Sequence, residues 1–374
     1  IFPPKFSIFS SNSLSRIPEN TIFIFFNLLF NLLFLKLHSN LFSFKNSINL
    51  SKLFINLFAV LISIPFNTFA DFAKYEITVL ATNIANYGGF GEWSFSALYE
   101  SEEESILFDT GFHEDTVIHN AQLLKKDLSR VEKVVLSHFH SDHTGGLLKL
   151  RKKYRVVNKK AFSKVFVAQG FFQQRFTKDG LKIKKNGVGP GGYGEALIFK
   201  EEAEKLGVKF FIVDSNTEIG KDLFITGPVE RKVEKYIGPE NLYVKDSNNQ
   251  LKPDVIMDDQ SMGMLTEKGW VMMSGCGHAG IINSGESLKE IKDLPIYGAM
   301  GGFHLWQANE KTITQTAKWL KKEGLGKFMG GHCTGINATK KISDFVGLER
   351  EDMSHTAVGS VLTKDLEIIR SSVE

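Results

Sequence analysis

The string Leu136-Ser137-His138-Phe139-His140-Ser141-Asp142-His143-Thr144-Gly145-Gly146 constrains this chain more than any other feature. Three imidazoles and one carboxylate fall in six residues, after an apolar run at 131–136 and before a helical pattern. Alternate residues of an extended segment share a side, so His138 and His140 can reach one cation. Asp142 and His143, on the turn into the helix, can reach a second. Imidazole nitrogen and carboxylate oxygen suit zinc, manganese or iron, and zinc is the first expectation. The spacing predicts two divalent metal ions held by a loop that is anchored at both ends.

From residue 75 onward, short β-rich runs alternate with helical patterns. Strands are expected at 75–82, 95–100, 105–109, 131–137, 164–168, 209–213, 223–226, 255–264, 270–274, 295–300 and 327–329. Helices are expected near 114–125, from Gly146 to about 153, and near 287–292, 310–323 and 338–345. Hairpins with interspersed helices point to an α/β protein, an αββα sandwich of two mixed sheets with helices outside. The stretch 151–254 is the least regular, with basic runs and a Gly-rich 186–194. It is expected to be an insertion that sets specificity.

At 374 residues, with 43% hydrophobic and 23% charged, the chain is neither wholly disordered nor a multi-span membrane protein. Its net charge of +3 is uneven. Lys5, Arg16, Lys36, Lys45 and Lys52 oppose only Glu19 in residues 1–70, a local +4 that leaves −1 for the rest. Nucleic acid is therefore not an expected partner; a small molecule is. The two cysteines, Cys276 and Cys333, cannot make a disulfide framework.

The chain opens at Ile1 and its first methionine is Met257, so 1–46 is read as an unassigned leader that need not be native. Residues 47–70 read as a secretory signal: Lys52, an apolar run at 53–66, then Asn67-Thr68-Phe69-Ala70 with cleavage after Ala70. That run and the one at 21–35 fall short of the roughly 20 residues that span a bilayer. Residues 71–374 are then one exported or periplasmic domain. Without a working signal the protein is cytoplasmic, and any membrane contact runs through an uncleaved leader.

The HxHxDH pattern at 138–143 resembles the metallo-β-lactamase superfamily, and Leu107-Phe108-Asp109-Thr110-Gly111 resembles its strand-ending aspartate. The resemblance narrows downstream, at Thr226-Gly227-Pro228-Val229-Glu230-Arg231, Asp258-Asp259-Gln260-Ser261, Ser274-Gly275-Cys276-Gly277-His278-Ala279-Gly280-Ile281, Gly301-Gly302-Phe303-His304-Leu305 and Gly331-His332-Cys333-Thr334-Gly335. These look like the branch typified by 7,8-dihydropterin-6-yl-methyl-4-(β-D-ribofuranosyl)aminobenzene 5′-phosphate synthase, over about 75–362. The resemblance implies the superfamily's αββα fold and its ligands His138, His140, Asp142 and His143. Asp142 and His143 would stand nearest the chemistry, with Asp109 supporting a ligand from behind.

The chain also departs from the wider pattern. Many members have a Gly-Asp pair with a metal-bridging aspartate where this chain has Gly275-Cys276, and a further histidine where it has Asp258-Asp259. His278 and His332 are therefore expected as the remaining ligands, one per ion, with solvent, Asp258 or Asp259 between the ions. His304 and Thr334 are expected near substrate or behind the ligands. Cys276 and Cys333 are read as packing residues first, and as soft ligands or a disulfide second. His113, His119 and His355 are expected on the surface.

Metal-assisted hydrolysis of an ester, amide, lactone or phosphate ester follows from these residues, and no G-x-S-x-G nucleophile string is present. The resemblance implies an alternative: an aryl acceptor attacks a dihydropterin methyl pyrophosphate and pyrophosphate leaves. Lys182, Lys184 and Lys185, beside the Gly-rich 186–194, would help hold the phosphates. An exported enzyme would not meet a cytoplasmic pterin intermediate, which puts hydrolysis first. A non-catalytic ligand-binding protein on the same fold is the third reading, and the complete ligand set weighs against it.

Overall fold

The structure, a computed structural model, describes residues 75–183, 196–235 and 241–374. The leader, the signal segment, Lys184, Lys185 and the Gly-rich 186–194 lie outside the described residues. Among the described residues, no helix is long and apolar enough to cross a membrane.

The chain enters through β1 (Tyr75–Ala81), β2 (Ser96–Ser101) and β3 (Ser105–Phe108), each antiparallel to the one before. Helix α1 (Thr116–Leu123) then carries it over to β4 (Val131–Val135), parallel to β3. A short α2 (Ser141–Thr144) and α3 (Leu147–Tyr154) lead to β5 (Lys164–Ala168), and α4 (Ala196–Lys205) precedes β6 (Lys209–Val213). Parallel neighbours need such helical crossovers, whereas hairpins serve the antiparallel ones. The hairpin of β7 (Thr217–Gly220) and β8 (Leu223–Ile225) opens a second sheet, and β9 (Tyr243–Lys245) with β10 (Leu251–Pro253) forms a small separate hairpin. Next come β11 (Ser261–Thr266), β12 (Gly269–Ser274), α5 (Ile281–Ile291), β13 (Ile296–Gly301), α6 (Glu310–Glu323), β14 (Lys327–Gly330), α7 (Ile336–Val346) and β15 (Met353–His355). The chain then returns to the first sheet through β16 (Val361–Thr363) and β17 (Ile368–Ile369). The strand orders are β17-β16-β1-β2-β3-β4-β5-β6 and β15-β14-β13-β12-β11-β8-β7.

Period-two alternation sorts the apolar side chains into layers. Ile77, Val79, Ile106 and Phe108 of the first sheet meet Met262, Met264, Val271, Met273, Met300 and Met329 of the second. Leu80, Leu98, Leu107 and Val134 face outward, onto α1, α3 and α4. Trp270, Met272 and Ile296 cover the other outer face beneath α5, α6 and α7. This is the αββα sandwich, with both sheets mixed.

Two expected elements start elsewhere than the sequence indicates, one for a local reason and one for a long-range one. The strand expected at 255–264 starts only at Ser261, because Asp254 Oδ1 accepts the Ile256 N–H at 2.7 Å and turns the chain first. The helix expected at 287–292 begins at Ile281. No neighbouring side chain caps it; Glu234 does, accepting the Ile282 N–H at 2.7 Å. The stretch 151–254, expected to be a specificity insertion, contributes β5 to β8 to the two sheets and the separate β9–β10 hairpin.

Candidate metal centre

Every predicted ligand lies just past the carboxyl end of a strand that runs parallel to a neighbour. The crevice outside such ends is where open α/β sheets place ligands. β3 delivers Asp109 and β4 delivers the 138–143 loop, while β12, β13 and β14 deliver Cys276 and His278, His304, and His332 with Cys333. Asp109, His304 and His332 have φ of 55°, 50° and 44°, a left-handed backbone that is costly for non-glycine residues. Three strained strand exits in one place mark a site rather than a passive rim.

The side chains fall into two adjoining groups. His138, His140 and His278 bring their donor atoms within 4.8 Å of one another, as do Asp142, His143, Cys276 and His332. All seven are buried. His138 Nε2 and His140 Nδ1 face each other at 2.8 Å. Asp142 Oδ2 lies 3.4 Å from His332 Nε2 and 3.6 Å from His143 Nε2.

One carboxylate orients a histidine in each group. Asp109 Oδ2 accepts from His143 Nδ1 at 2.7 Å and from the Ser137 hydroxyl at 2.8 Å. Ser137 Oγ in turn sits 2.9 Å from His138 Nδ1. Since Ser137 spends its proton on Asp109, His138 must donate from Nδ1, as His143 does. Both rings then turn an unprotonated Nε2 toward the centre. Asp109 Oδ1 also accepts the Ser137 N–H at 2.7 Å. The glycine of the Gly275-Cys276 pair is required here, since a Cβ on Gly275 would lie 2.2 Å from both Asp109 Oδ2 and Ser137 Oγ.

Asp258 and Asp259 stand behind the centre, in neither group of converging donor atoms. Asp258 Oδ2 accepts the Phe139 N–H at 2.7 Å, and its Oδ1 takes Arg175 Nη2 at 2.8 Å. Arg175, buried, also donates to Asp254 at 2.6 Å and to the Phe139 carbonyl at 3.2 Å. Asp259 Oδ2 accepts the Ala279 N–H at 2.8 Å and so fixes the His278 loop. Thr334 ties two loops together, accepting the Phe303 N–H and donating to the Gly301 carbonyl, rather than facing a ligand. His304 lies tilted against His278, with ring centroids 4.4 Å apart, and forms a further group with Cys276 and Cys333. Cys276 and Cys333 are buried free thiols with sulfurs 3.2 Å apart, so the disulfide alternative does not hold. His355 is not a surface residue; it is half-buried, with Nδ1 3.4 Å from Thr339 Oγ1.

Sequence reasoning missed Arg175, Gln260 and two tryptophans. Gln260 pins the loop from across the sandwich, donating from its backbone to Ser137 O at 2.9 Å and from its side chain to Leu136 O at 2.9 Å. Trp93 packs edge-on against His332 at 5.1 Å and Trp306 at 5.2 Å, and both indoles are exposed at the mouth. Only the Asp258-Asp259-Gln260 string carried a local signal of any of these.

Burial, reinforced by neighbouring imidazoles, pushes His138, His140 and His278 well below the ordinary histidine range. Burial acts the same way on His143, but Asp142 and Asp109 outweigh it and raise the ring. Against burial, Cys333 and Asp142 push His332 up to about 10. Burial holds Asp259 at about 7.

These residues fit a pair of divalent ions. Asp142 Oδ1, His143 Nε2 and His332 Nδ1 are buried with no hydrogen-bond partner among the described residues, a rare condition for polar atoms. Imidazole, carboxylate and thiol donors at this spacing match first-row divalent cations.

Residues 94–206 match the profile of the metallo-beta-lactamase superfamily. The 7,8-dihydropterin-6-methyl-4-(beta-D-ribofuranosyl)-aminobenzene-5'-phosphate synthase of Methanocaldococcus jannaschii is 29% identical over 296 residues, 77% of this chain and 96% of that protein. An uncharacterized protein of the same organism is 31% identical over 272 residues, 71% of this chain and 93% of its own. The crystal structure of Tm1679, a metal-dependent hydrolase of the beta-lactamase superfamily, superposes with a TM-score of 0.59 at 28% identity, covering 77% of this chain and 98% of that one. With its fold, its loop at 138–143 and these relatives, the chain belongs to the metallo-β-lactamase superfamily.

Proposed function

We propose that this chain is a dinuclear metal-dependent hydrolase acting on an ester or phosphate-ester small molecule, with zinc as its first metal and manganese or iron as alternatives. The observation that carries the reading is the pair of adjoining donor groups, His138–His140–His278 and Asp142–His143–His332, joined through Asp109. Two bound ions would supply Lewis acidity toward a carbonyl or phosphoryl oxygen and an acidified water. The protein's own part is to hold the rings in one tautomer through Asp109 and Ser137. Asp142 Oδ1, buried and without a partner among the described residues, is the acceptor available for a proton from the attacking group. Trp93 and Trp306 give the mouth two aromatic faces against which a flat substrate can lie.

A pyrophosphate-releasing transferase is the second reading, favoured by the 29% identity to the pterin phosphate synthase over nearly that protein's whole length. The full chain, loaded with zinc or manganese, is given dihydropterin methyl pyrophosphate with and without the ribosyl-aminobenzene phosphate acceptor, beside a panel of aryl esters and phosphate esters. Metal-dependent turnover of the panel that disappears in His138→Ala supports hydrolysis. Pyrophosphate release that requires the acceptor replaces it with the transferase.

A further inference from the structure

We propose that the substrate ends in a phosphate-like anion, held beside the metal centre in a cavity by Lys235 and Lys311. The proposal rests on the dinuclear hydrolase reading and names the class of substrate it takes. A cavity of about 460 Å³ opens against the centre, within the size range of small-molecule sites. His278 and His304 line it on the side of the centre, and segment 233–235 and the first turns of α6 complete it. Lys235 and Lys311 are exposed there and take part in no ion pair among the described residues. Neighbouring lysines differ: Lys232 pairs with Glu230 at 3.1 Å and with Glu290 at 3.2 Å, and Lys341 pairs with Glu310.

The acceptors around the cavity are already engaged. Glu234, the carboxylate that lines it, accepts the Ile282 N–H at 2.7 Å and the Asn283 N–H at 3.4 Å through Oε2, and the Thr316 hydroxyl at 3.4 Å through Oε1. It is turned to the start of α5, where a Cβ on Gly280 would come within 2.2 Å of Oε2. Asn309 Oδ1 accepts the Thr312 N–H at 3.0 Å and the Thr312 hydroxyl at 3.2 Å. Lys235, Lys311 and the Gln315 amide are left to meet a ligand. Two ammonium groups beside a site for divalent cations attract an anion and disfavour a cationic group. Lysine is a compact charge suited to phosphate. Lys182, expected from the sequence to hold phosphates, does not line this cavity. A substrate with its scissile bond at the ions and its anion here is fixed at both ends.

The test is titration calorimetry on the full chain carrying two zinc ions, with metal content measured on the same sample. The probes are butyrohydroxamate and 4-phosphonobutyrohydroxamate, which share a zinc-chelating head and differ in the terminal anion. The phosphonate should bind about tenfold tighter, the scale of one hydrogen bond to a charged group. The double variant Lys235→Gln/Lys311→Gln should lose that advantage and keep its affinity for butyrohydroxamate, while Lys182→Gln should change neither. Both positions are exposed, so the substitutions leave the fold intact. No phosphonate advantage in the unaltered chain, an advantage that the double variant keeps, or one that Lys182→Gln removes overturns the proposal and leaves the dinuclear centre standing. The titration needs no turnover, so its failure is distinct from failure of the hydrolase reading. A chain that binds no zinc overturns the dinuclear reading and this proposal together.

Discussion

Asp109 is a single side chain on which both halves of the centre depend. Through Ser137 it sets the tautomer of His138, and directly that of His143. An amide in its place has only one accepting oxygen, so its N–H must face either the Ser137 N–H now taken by Oδ1 or the Ser137 hydroxyl and His143 Nδ1 now taken by Oδ2. Asp109→Asn should therefore weaken both ions by about 10–100-fold, read by competition with a chromophoric chelator; loss at one group only would contradict the shared role. The two groups should also differ with pH. His138, His140 and His278 are held neutral by burial, so the first ion displaces no proton. His332 is pushed up to about 10 and so holds its proton at neutral pH, and the second ion must expel it. Affinity at the second group then rises with pH. Lowering the pH from 8 to 6 should take the protein from two ions toward one, as counted by native mass spectrometry. His138, His140, Asp142 and His143 were legible as a cluster because one loop carries them. Trp93, at the mouth, was not, since nothing in its neighbourhood signals what the fold sets beside it.

The 138–143 loop is held from outside by elements remote in sequence. Arg175 bridges Asp254, Asp258 and the Phe139 carbonyl, and Asp258 takes the Phe139 N–H. Arg175→Met would leave two buried carboxylates uncompensated, a loss of about 3–5 kcal/mol in urea unfolding, with weaker metal binding because the loop loses its brace. An unchanged midpoint would show that the ion pairs add nothing. The strands were readable wherever alternation or an apolar run persisted: β5 and β6 occupy the residues expected, as does α6, which begins at an Asn309 side-chain cap and stops at Gly324 in the left-handed conformation. The start of α5 was not readable, because its cap, Glu234, lies far back in the chain. β7 and β9 are short and partly exposed, with too little apolar pattern to register.

The whole molecule sets two sheets face to face so that strand ends from both converge on one crevice. Metals there would tie the sheets together, and a ligand that binds only the folded state stabilises it by mass action. At free zinc a hundred times the dissociation constant, each ion adds about 2.7 kcal/mol. Chelation should lower the calorimetric unfolding temperature, and returning zinc should restore it. A midpoint indifferent to chelator would mean that no ion is bound to the native state. The layered architecture was legible in the alternation of hairpins and helices, whereas the junction between the sheets, carried by Gln260 donating to Ser137 O and Leu136 O, exists only once both are folded. The central claim is two ions in two groups, and metal counting in three proteins tests it most directly. The unaltered chain should hold two zinc ions, and His140→Ala and His332→Ala should each hold one. A single ion in the unaltered chain, or two retained in either variant, would contradict the account.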